Sequence, residues 1–250
     1  MFVASDKRER FWEIDALRGI AILMMIAYHI LFDLVYFGFT STDLNAFPVL
    51  VFLYPISTLF LLLVGVSLTL SYNRVKQTFT KRQLRLKYLI RGSSIFGLGL
   101  LITLVTWIYP HNGFIIFGIL HCIGLSILLA YMFIRYRIAA LFVGIVCISV
   151  GVILRFLVTV DFPWLLWLGF VPHSFYTLDY FPLFPWFGVV LLGIFLGNSL
   201  YQNNTRKFKI ADGSQFIGTR LLCFLGRHSL IIYLLHQLII VGILYLLVGS

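Results

Sequence analysis

The sequence predicts an all-α polytopic membrane helix bundle with about seven transmembrane helices. Hydrophobic residues make up 61% of the 250 residues and charged residues only 11%, whereas a soluble domain averages about 45–50% and about 25%. One soluble core cannot hide this much apolar surface, so part of it must face lipid, where every backbone polar group has to be paired within the protein. The apolar runs are too long and too continuous for the alternating strands of a membrane barrel, which leaves helices.

Seven apolar segments are each long enough to cross a hydrocarbon core of about 30 Å, for which about 20 residues suffice. We predict them at residues 13–37, 49–72, 88–109, 113–134, 137–158, 182–201 and 220–248. No hydrophilic linker separates them, so we expect a single domain over residues 1–250. The first segment is too long for the core of a signal peptide and is expected to be retained as a helix.

The basic residues predict the orientation of the chain. With seven spans, all of the Lys and Arg residues except Arg18 and Arg155 fall on one side of the membrane. By the positive-inside rule that side is cytoplasmic, which places the N-terminus inside and the C-terminus outside. The net charge of +10 is therefore a topology signal. Short loops of this kind lack the basic folded face that binds nucleic acid, and the expected partner is the lipid bilayer.

Four ionisable residues lie in the first segment, where such residues are costly and default to functional candidates. They are Asp15, Arg18, His29 and Asp33. At about 100° per residue, His29 falls within about 20° of Arg18, and both aspartates lie on the same side of the helix. Asp15 is spaced to pair with Arg18. Asp33, four residues after His29, is within reach of its ring and could fix its tautomer, as a carboxylate does in catalytic triads.

The same residues also have a purely structural interpretation. Asp15 and Arg18 would then form an interfacial ion pair, and His29 would be a hydrogen-bonded core residue. Four such residues on one stripe favour the functional interpretation. His121 and His236 lie inside later segments. Each could either form hydrogen bonds in the core or line a substrate cavity, and the sequence does not decide between these roles.

Neither a metal site nor a disulfide framework is predicted. A cluster of His29, His121 and His236 would suit a transition metal, but no HxxxH or HxxE pair occurs in any segment. The odd number of cysteines in or beside apolar runs argues against a disulfide framework. We expect the three cysteines to be small core residues (Cys122, Cys147 and Cys223).

Several motifs resemble known membrane acyltransferases. The run from Glu13 to Ile20 and on to Tyr28 and His29 resembles the transmembrane acyltransferase superfamily, and the Arg18-x10-His29 spacing is similar to the Arg/His signature of its acyltransferase-3 group. The rest of the chain is similar to the catalytic region of heparan-α-glucosaminide N-acetyltransferase and its prokaryotic relatives. This second resemblance rests on residues 118–124, 179–188 and 225–237, which occur in the expected order.

The resemblance implies an integral protein of the plasma membrane of a prokaryote. It implies transfer of an acetyl group from cytosolic acetyl-CoA to an acceptor across the membrane, and the matching Arg18 and His29 inherit an essential role. One departure is clear. The heparan enzymes have an Asn at the position of His29 and a catalytic histidine in the following outer loop, whereas this sequence has no histidine between His29 and His111.

The mechanism that we expect uses one positioned histidine. His29 would be the general base, Asp33 would orient it, and Arg18 would hold the donor or the structure. The phosphates of acetyl-CoA would meet Arg227, or Lys87 and Arg91. Substrate-binding residues are expected among His121, His236, Asp179 and Trp186, and no metal is needed.

A small-molecule transporter or channel, with the polar stripe of the first segment lining the path, is the alternative function. The proline-containing entry to the sixth segment would suit it, but no repeat of the kind found in many transporters is present. The sequence leaves open the acceptor (an amino sugar, a glycan hydroxyl or a lipid head group) and whether the protein forms a homo-oligomer.

Overall fold

The computed structural model describes residues 10–44, 46–202 and 205–248. Within these ranges the chain forms eight α-helices, one short 3-10 helix and four strands of two residues each. The helices are α1 Trp12–Tyr36, α2 Phe47–Val75, α3 Lys81–Ile108, α4 Ile119–Ala130, α5 Arg137–Leu157, α6 Leu183–Leu200, α7 Ile217–Arg227 and α8 Ser229–Val248. The 3-10 helix is Leu166–Leu168, and the strands are β1 Thr159–Val160, β2 Val171–Pro172, β3 Tyr201–Gln202 and β4 Thr205–Arg206.

The helices confirm the predicted all-α membrane class. In the described part of the chain, six of them are long and apolar enough to cross a membrane, namely α1, α2, α3, α5, α6 and α8. The strands form only two small pairs, parallel β1–β2 and antiparallel β3–β4. The chain divides into two compact units. Unit 1 contains residues 1–60 and 210–250, and unit 2 contains residues 61–209, so α2 contributes to both.

The fourth predicted segment is only partly helical. Residues 113–134 contain the 12-residue α4, which rises about 18 Å and is too short to cross the hydrocarbon core alone. The residues before it form turns and irregular chain, and Phe117 forms an isolated parallel bridge with Tyr180. The N–H of Phe181 also donates to the Phe117 carbonyl at 3.0 Å. This pairing satisfies backbone groups that lipid would leave unpaired.

The last predicted segment, 220–248, forms two helices instead of one. α7 ends at Arg227 and α8 begins at Ser229, with His228 between them. The N–H of His228 donates to the carbonyls of Phe224 and Leu225, each at 3.2 Å. Arg227 and His228 interrupt the apolar run at this break, and the predicted segment passed over that signal because the flanking residues are apolar.

α1 is the centre of unit 1. Ile22 and Met25 on α1 and Ile56 on α2 form a buried apolar cluster. Ile232 and Tyr233 of α8 pack against it. Because these helices are membrane-spanning, such contacts stabilise the unit through close packing and not through removal from water, and they fix α8 beside α1.

Two glycines let α1 and α7 approach until their backbones touch. A Cβ on Gly19 would collide with the backbone of Leu222, and a Cβ on Gly226 would collide with the carbonyl of Asp15. Small residues at helix crossings permit this close packing in membranes. The crossing holds Asp15 and Arg227 at the same end of unit 1.

Unit 2 is built around α6. Val190, Leu191 and Ile194 on this helix are completely buried. α6 packs on α5 through Gly144 and Gly188, whose Cβ positions would each meet backbone or side-chain atoms of the facing helix. α3 packs on α4 in the same unit. Glycines that look dispersed in the sequence therefore lie at helix crossings within the chain.

The close crossing of α1 and α7 can be tested with a single methyl group. We expect Gly226→Ala to destabilise the protein by about 1–3 kcal/mol, because the new Cβ has to displace the α1 backbone. Gly242→Ala in α8 is the matched control, since nothing lies within 4 Å of its Cβ position, and alanine should raise helix stability there by about 0.5–1 kcal/mol. Thermal unfolding of the purified protein measures both, and equal melting temperatures for the two variants would contradict the crossing.

Candidate active site

Asp15 on α1 lies between two guanidinium groups. Arg18 Nη1 is 2.9 Å from Asp15 Oδ1, and Arg227 Nε is 4.0 Å from Asp15 Oδ2. Arg227 Nε also donates to the Cys223 carbonyl at 3.1 Å. The structure thus brings Arg18 and Arg227 together through one buried carboxylate.

His29 has a defined tautomer. Its Nδ1 lies 2.9 Å from the Met25 carbonyl oxygen. Because a carbonyl oxygen only accepts, Nδ1 carries the ring proton and Nε2 keeps its lone pair. The half-buried ring packs edge-on against His236, with 4.7 Å between ring centroids.

His236 on α8 is anchored in the same way. Its Nδ1 donates to the Tyr233 carbonyl oxygen at 2.6 Å, so its Nε2 is also an acceptor. The side chain is only 8% exposed, and Nε2 is buried with no hydrogen-bond partner in the described part of the chain. A buried unsatisfied polar atom costs about 1–3 kcal/mol. Two imidazoles with free Nε2 lone pairs therefore meet inside unit 1.

Asp33 contacts Gln237 of α8. The Gln237 side-chain amide donates to both carboxylate oxygens of Asp33, at 2.8 and 2.9 Å, and Asp33 is 2% exposed. Within residues 10–44, 46–202 and 205–248, no hydrogen bond joins Asp33 to His29, so the expected pairing does not form here. Helical side chains tilt toward the N-terminus, and this tilt carries the His29 ring to Met25, away from Asp33.

The amide orientation leaves a second unpaired acceptor. Gln237 Oε1 is buried without a partner in the same described ranges. The sequence analysis gave Gln237 no role, and an amide inside an apolar segment was the signal that could have found it. The site around His29 holds a carboxylate, an amide oxygen and two imidazole nitrogens, all of which accept hydrogen bonds.

An apolar groove of about 250 Å³ borders this site. It is lined by one residue of α1 and one face of α8: Ile26, Ile231, Ile232, Leu235, His236, Ile239 and Ile240. His236 is the only polar side chain among these residues. The groove therefore runs along α8 past one of the two imidazoles.

His121 lies in unit 2, at the start of α4. Its Nδ1 accepts the Gly118 N–H at 3.2 Å, so its proton is on Nε2, which lies 3.4 Å from Thr103 Oγ1. The Thr103 hydroxyl donates in turn to the Ile115 carbonyl at 2.6 Å. Both ring nitrogens thus have partners, and the ring is 2% exposed. This chain of hydrogen bonds stabilises the helix start.

Asp179 also contacts the beginning of α4. Its Oδ2 accepts the Ile119 N–H at 3.0 Å, which satisfies a donor that a helix N-terminus leaves free. Burial raises the pKa of the Asp179 carboxyl to about 6, and the Ile119 N–H opposes that rise. Trp186, on the first turns of α6, packs against Phe181 with ring centroids 5.0 Å apart. Asp179 thus lies at the N-terminal end of α4, and Trp186 lies in the first turn of α6.

A cationic cluster lies in unit 2 where α2 ends and α3 begins. Lys87 Nζ donates to Ser71 Oγ at 3.1 Å, and Arg74 and Arg91 lie close enough to Lys87 to interact with it electrostatically. No Asp or Glu occurs between Asp43 and Asp161. Basic side chains grouped in this way can bind phosphate groups.

The described residues contain no group of three His, Cys, Asp or Glu side chains arranged to hold a metal ion. The three cysteines, Cys122, Cys147 and Cys223, are buried and free. Cys223 donates its thiol to the Trp12 carbonyl at 3.2 Å, which adds a contact to the crossing of α1 and α7.

Comparison with known proteins gives one family. A family model described as "Heparan-alpha-glucosaminide N-acetyltransferase, catalytic" matches residues 10–238, well over half of the chain. The match confirms the resemblance predicted from the sequence motifs, and the matched range includes both His29 and His236. No curated protein and no solved structure matches the chain.

The carboxyl of Asp179 predicts a pH-dependent stability. Its folded-state pKa is raised to about 6, so its stabilising contribution is complete below the unfolded pKa of about 3.9 and is lost as the pH rises through about 6. Asp179→Asn keeps an oxygen that accepts the Ile119 N–H but cannot ionise. We expect the melting temperature of the wild type, relative to Asp179→Asn, to fall by a few degrees between pH 5 and pH 7.5. A constant difference would show that the carboxyl does not titrate in this range.

Proposed function

The chain belongs to the heparan-α-glucosaminide N-acetyltransferase catalytic family, and on that premise we propose that it transfers an acetyl group from cytosolic acetyl-CoA to an extracytoplasmic hydroxyl or amine. Membrane acetyltransferase activity in general follows from the family. The donor, the acceptor and the residue roles are our proposal. The protein would act as an integral protein of a prokaryotic plasma membrane, with its basic side facing the cytoplasm.

The observation that carries the proposal is the state of His29. Its Nδ1–H is held by the Met25 carbonyl, so Nε2 is available to take a proton, and the ring cannot rotate without losing a hydrogen bond. A general base positioned in this way typically contributes about 10²–10⁴-fold to the rate. The anchored Nδ1 performs the orienting role that was predicted for Asp33.

The reaction balances with one imidazole. The acceptor oxygen or nitrogen attacks the thioester carbonyl, and its proton passes to His29 Nε2. The carbon–sulfur bond breaks, and the leaving thiolate takes that proton back from the imidazolium. His29 thus ends the cycle in the neutral tautomer in which it began, with no change in redox state.

His236 and Asp33 have supporting roles in this proposal. The His236 ring packs on the His29 ring, and its buried Nε2 could accept a hydrogen bond only from the second N–H of an amine or from a neighbouring hydroxyl of the acceptor molecule. The Gln237 amide donates to Asp33, which leaves its Oε1 to accept a hydrogen bond. An N–H or O–H of the substrate would pair with Oε1, and this contact would help to orient the nucleophile. Arg18, paired with Asp15, would hold the structure of α1 instead of contacting the reacting atoms.

The donor phosphates would meet positive charge at two places. In unit 2, Lys87 and Arg91 lie one helical turn apart on α3, within the cationic cluster. A polar groove of about 240 Å³ in the same unit, lined in part by Asn73, Lys76 and Asn198, offers amide groups for the nucleotide. In unit 1, Arg227 is 47% exposed at the side chain and can bind a phosphate while it contacts Asp15.

Replacing His29 tests the catalytic role. We expect His29→Ala to lower kcat for acetyl transfer by about 10²–10⁴-fold, because the general base is removed. The measurement is release of free CoA thiol from acetyl-CoA by the purified protein. His111→Ala is a matched control, since His111 also donates Nδ1–H to the carbonyl four residues earlier, Trp107, but is exposed to solvent.

Two outcomes would contradict the proposal. Full activity in His29→Ala would remove the residue from the mechanism. A wild-type protein that neither binds nor consumes acetyl-CoA would favour the transporter or channel alternative, in which the residues of the α1 stripe line a permeation path.

Donor binding can be separated from chemistry at the cationic cluster. We expect Lys87→Gln and Arg91→Gln each to raise KM for acetyl-CoA about tenfold, equivalent to about 1.4 kcal/mol, with kcat unchanged. Arg82→Gln is the control, because Arg82 lies on the exposed first turn of the same helix. Initial rates over a range of acetyl-CoA concentrations give both constants. Equal KM values for all three variants would place the donor phosphates elsewhere, with Arg227 next to be tested.

A further inference from the structure

The cationic cluster of unit 2 lies where a membrane helix leaves the hydrocarbon. α3 has 28 residues and is about 42 Å long at about 1.5 Å per residue, whereas the hydrocarbon core is about 30 Å thick. The exposed Trp107 and Tyr109 mark its outer end, as interfacial aromatic residues do. The about 20 residues that cross the core therefore reach back to about residue 89. Lys87 lies just beyond them, at the boundary that the positive-inside rule makes cytoplasmic.

We propose that this cluster binds the head-group phosphate of an anionic phospholipid from the inner leaflet. Its cationic members are Arg74, Lys87 and Arg91. A phospholipid phosphate brings a negative charge, and its oxygen atoms accept N–H hydrogen bonds from ammonium and guanidinium groups. The proposal goes beyond acetyl transfer, and lipid binding can be measured without it.

The ammonium group of Lys87 is held in place by its neighbours. Nζ donates to Ser71 Oγ at 3.1 Å, and it lies 5.8 Å from the centroid of the Phe79 ring and 5.9 Å from that of the Tyr88 ring. Aromatic faces attract a cation at such distances. An ammonium has three N–H donors, so Lys87 can bind Ser71 and a phosphate oxygen at the same time. A half-buried side chain that is already held loses little further freedom on binding.

Two arginines add positive charge at the same place. Arg91 follows Lys87 by one helical turn on α3, and Arg74 lies in the last turn of α2. Both act electrostatically on Lys87. Positive charges grouped in this way attract an anionic head group, whereas they repel the quaternary ammonium of a choline head group. The charges therefore select a lipid with a net negative charge.

The lipid-facing side of α3 runs directly up to the cluster. Leu86, Leu89 and Ile90 are each more than half exposed on this membrane-spanning helix. At about 100° per residue, Ile90 lies about 60° from Lys87 around the helix axis and about 4.5 Å deeper in the membrane. A phospholipid whose phosphate pairs with Lys87 would place an acyl chain against Ile90. A soluble phosphate compound makes no use of this aliphatic surface, which is why we assign the site to a lipid.

The lipid and the proposed acetyl donor would compete. The proposed function assigns the phosphates of acetyl-CoA to Lys87 and Arg91, and a bound lipid phosphate would occupy the same charges. Anionic lipid should therefore raise KM for acetyl-CoA and leave kcat unchanged. This consequence rests on the proposed function, whereas lipid binding itself does not.

Lipid binding is measured on the full chain purified in dodecyl maltoside, an uncharged detergent. Native mass spectrometry over a range of phosphatidylglycerol concentrations gives the Kd of the most tightly bound lipid. Phosphatidylcholine with the same acyl chains is the lipid control, and glycerol 1-phosphate supplies the phosphate without acyl chains. We expect phosphatidylglycerol to bind at least about fivefold more tightly than phosphatidylcholine, equivalent to about 1 kcal/mol. A tenfold excess of glycerol 1-phosphate should not displace it.

Two lysine variants distinguish a site from general attraction. Lys87→Gln removes the ammonium that Ser71 and the aromatic rings hold, whereas Lys81→Gln removes an exposed ammonium at the start of the same helix. Both change the net charge equally. We expect Lys87→Gln to raise the Kd for phosphatidylglycerol about fivefold and Lys81→Gln to leave it unchanged. Arg74→Gln tests the same site from α2 and should raise the Kd by a similar factor.

Three results would overturn the lipid site. They are equal Kd values for the two lipids, equal losses in Lys81→Gln and Lys87→Gln, and displacement of phosphatidylglycerol by an equal concentration of glycerol 1-phosphate, which would make the ligand a soluble phosphate.

Kinetics in nanodiscs test the competition separately. A higher KM for acetyl-CoA in phosphatidylglycerol than in phosphatidylcholine supports it. An equal KM in the two lipids overturns the competition while the lipid site stands. If acetyl-CoA is consumed in neither lipid, the proposed function fails, and the Kd values still decide whether the lipid site exists.

Discussion

An imidazole that donates its Nδ1–H to a carbonyl one turn earlier has only the Nε2 lone pair left for other chemistry. His29, His111, His228 and His236 all form such a bond in this protein. His111 and His228 are exposed, so water can satisfy their second nitrogen. His29 and His236 lie against each other inside membrane-spanning helices, where a free lone pair costs energy unless a donor arrives. The proposed catalytic role depends on this difference in surroundings.

The fold could be predicted wherever the length of an apolar run determines that a helix forms. α1, α2, α3, α5 and α6 lie close to their predicted segments, because in lipid a long apolar run has few alternatives to a helix. The short α4 was not predictable, because hydropathy does not distinguish a helix from non-helical chain that pairs with another segment of the protein, as Phe117 does with Tyr180. The break at His228 had a local signal, because Arg227 and His228 interrupt the apolar run. The backbone contact of α7 with α1 at Gly226 joins distant parts of the chain and had none.

The candidate site was predictable in its residues more than in its pairings. The free-energy cost of an ionisable group in lipid was enough to single out His29 and Asp33 as candidates. The partner of each was not predictable, because spacing along one helix shows what can meet and does not show what packs from elsewhere. The i, i+4 spacing suggested Asp33 for His29, but α8 supplies Gln237 to Asp33 and the helix backbone supplies Met25 to His29. In unit 2, His121 is held by Gly118 and Thr103, partners that become visible only when α3 and α4 are packed.

The carboxylate-free stretch from Asp43 to Asp161 has a consequence for how this protein behaves in solution. Arg74 and Arg91 both act electrostatically on Lys87, and no Asp or Glu lies in that stretch of the chain. Such a concentration of positive charge attracts dissolved anions. Sulfate, inorganic phosphate and free nucleotides will therefore compete with any phosphorylated ligand for these charges, and dissolved salt will screen the attraction. The anions in the medium thus affect how strongly a phosphorylated ligand binds beside Lys87.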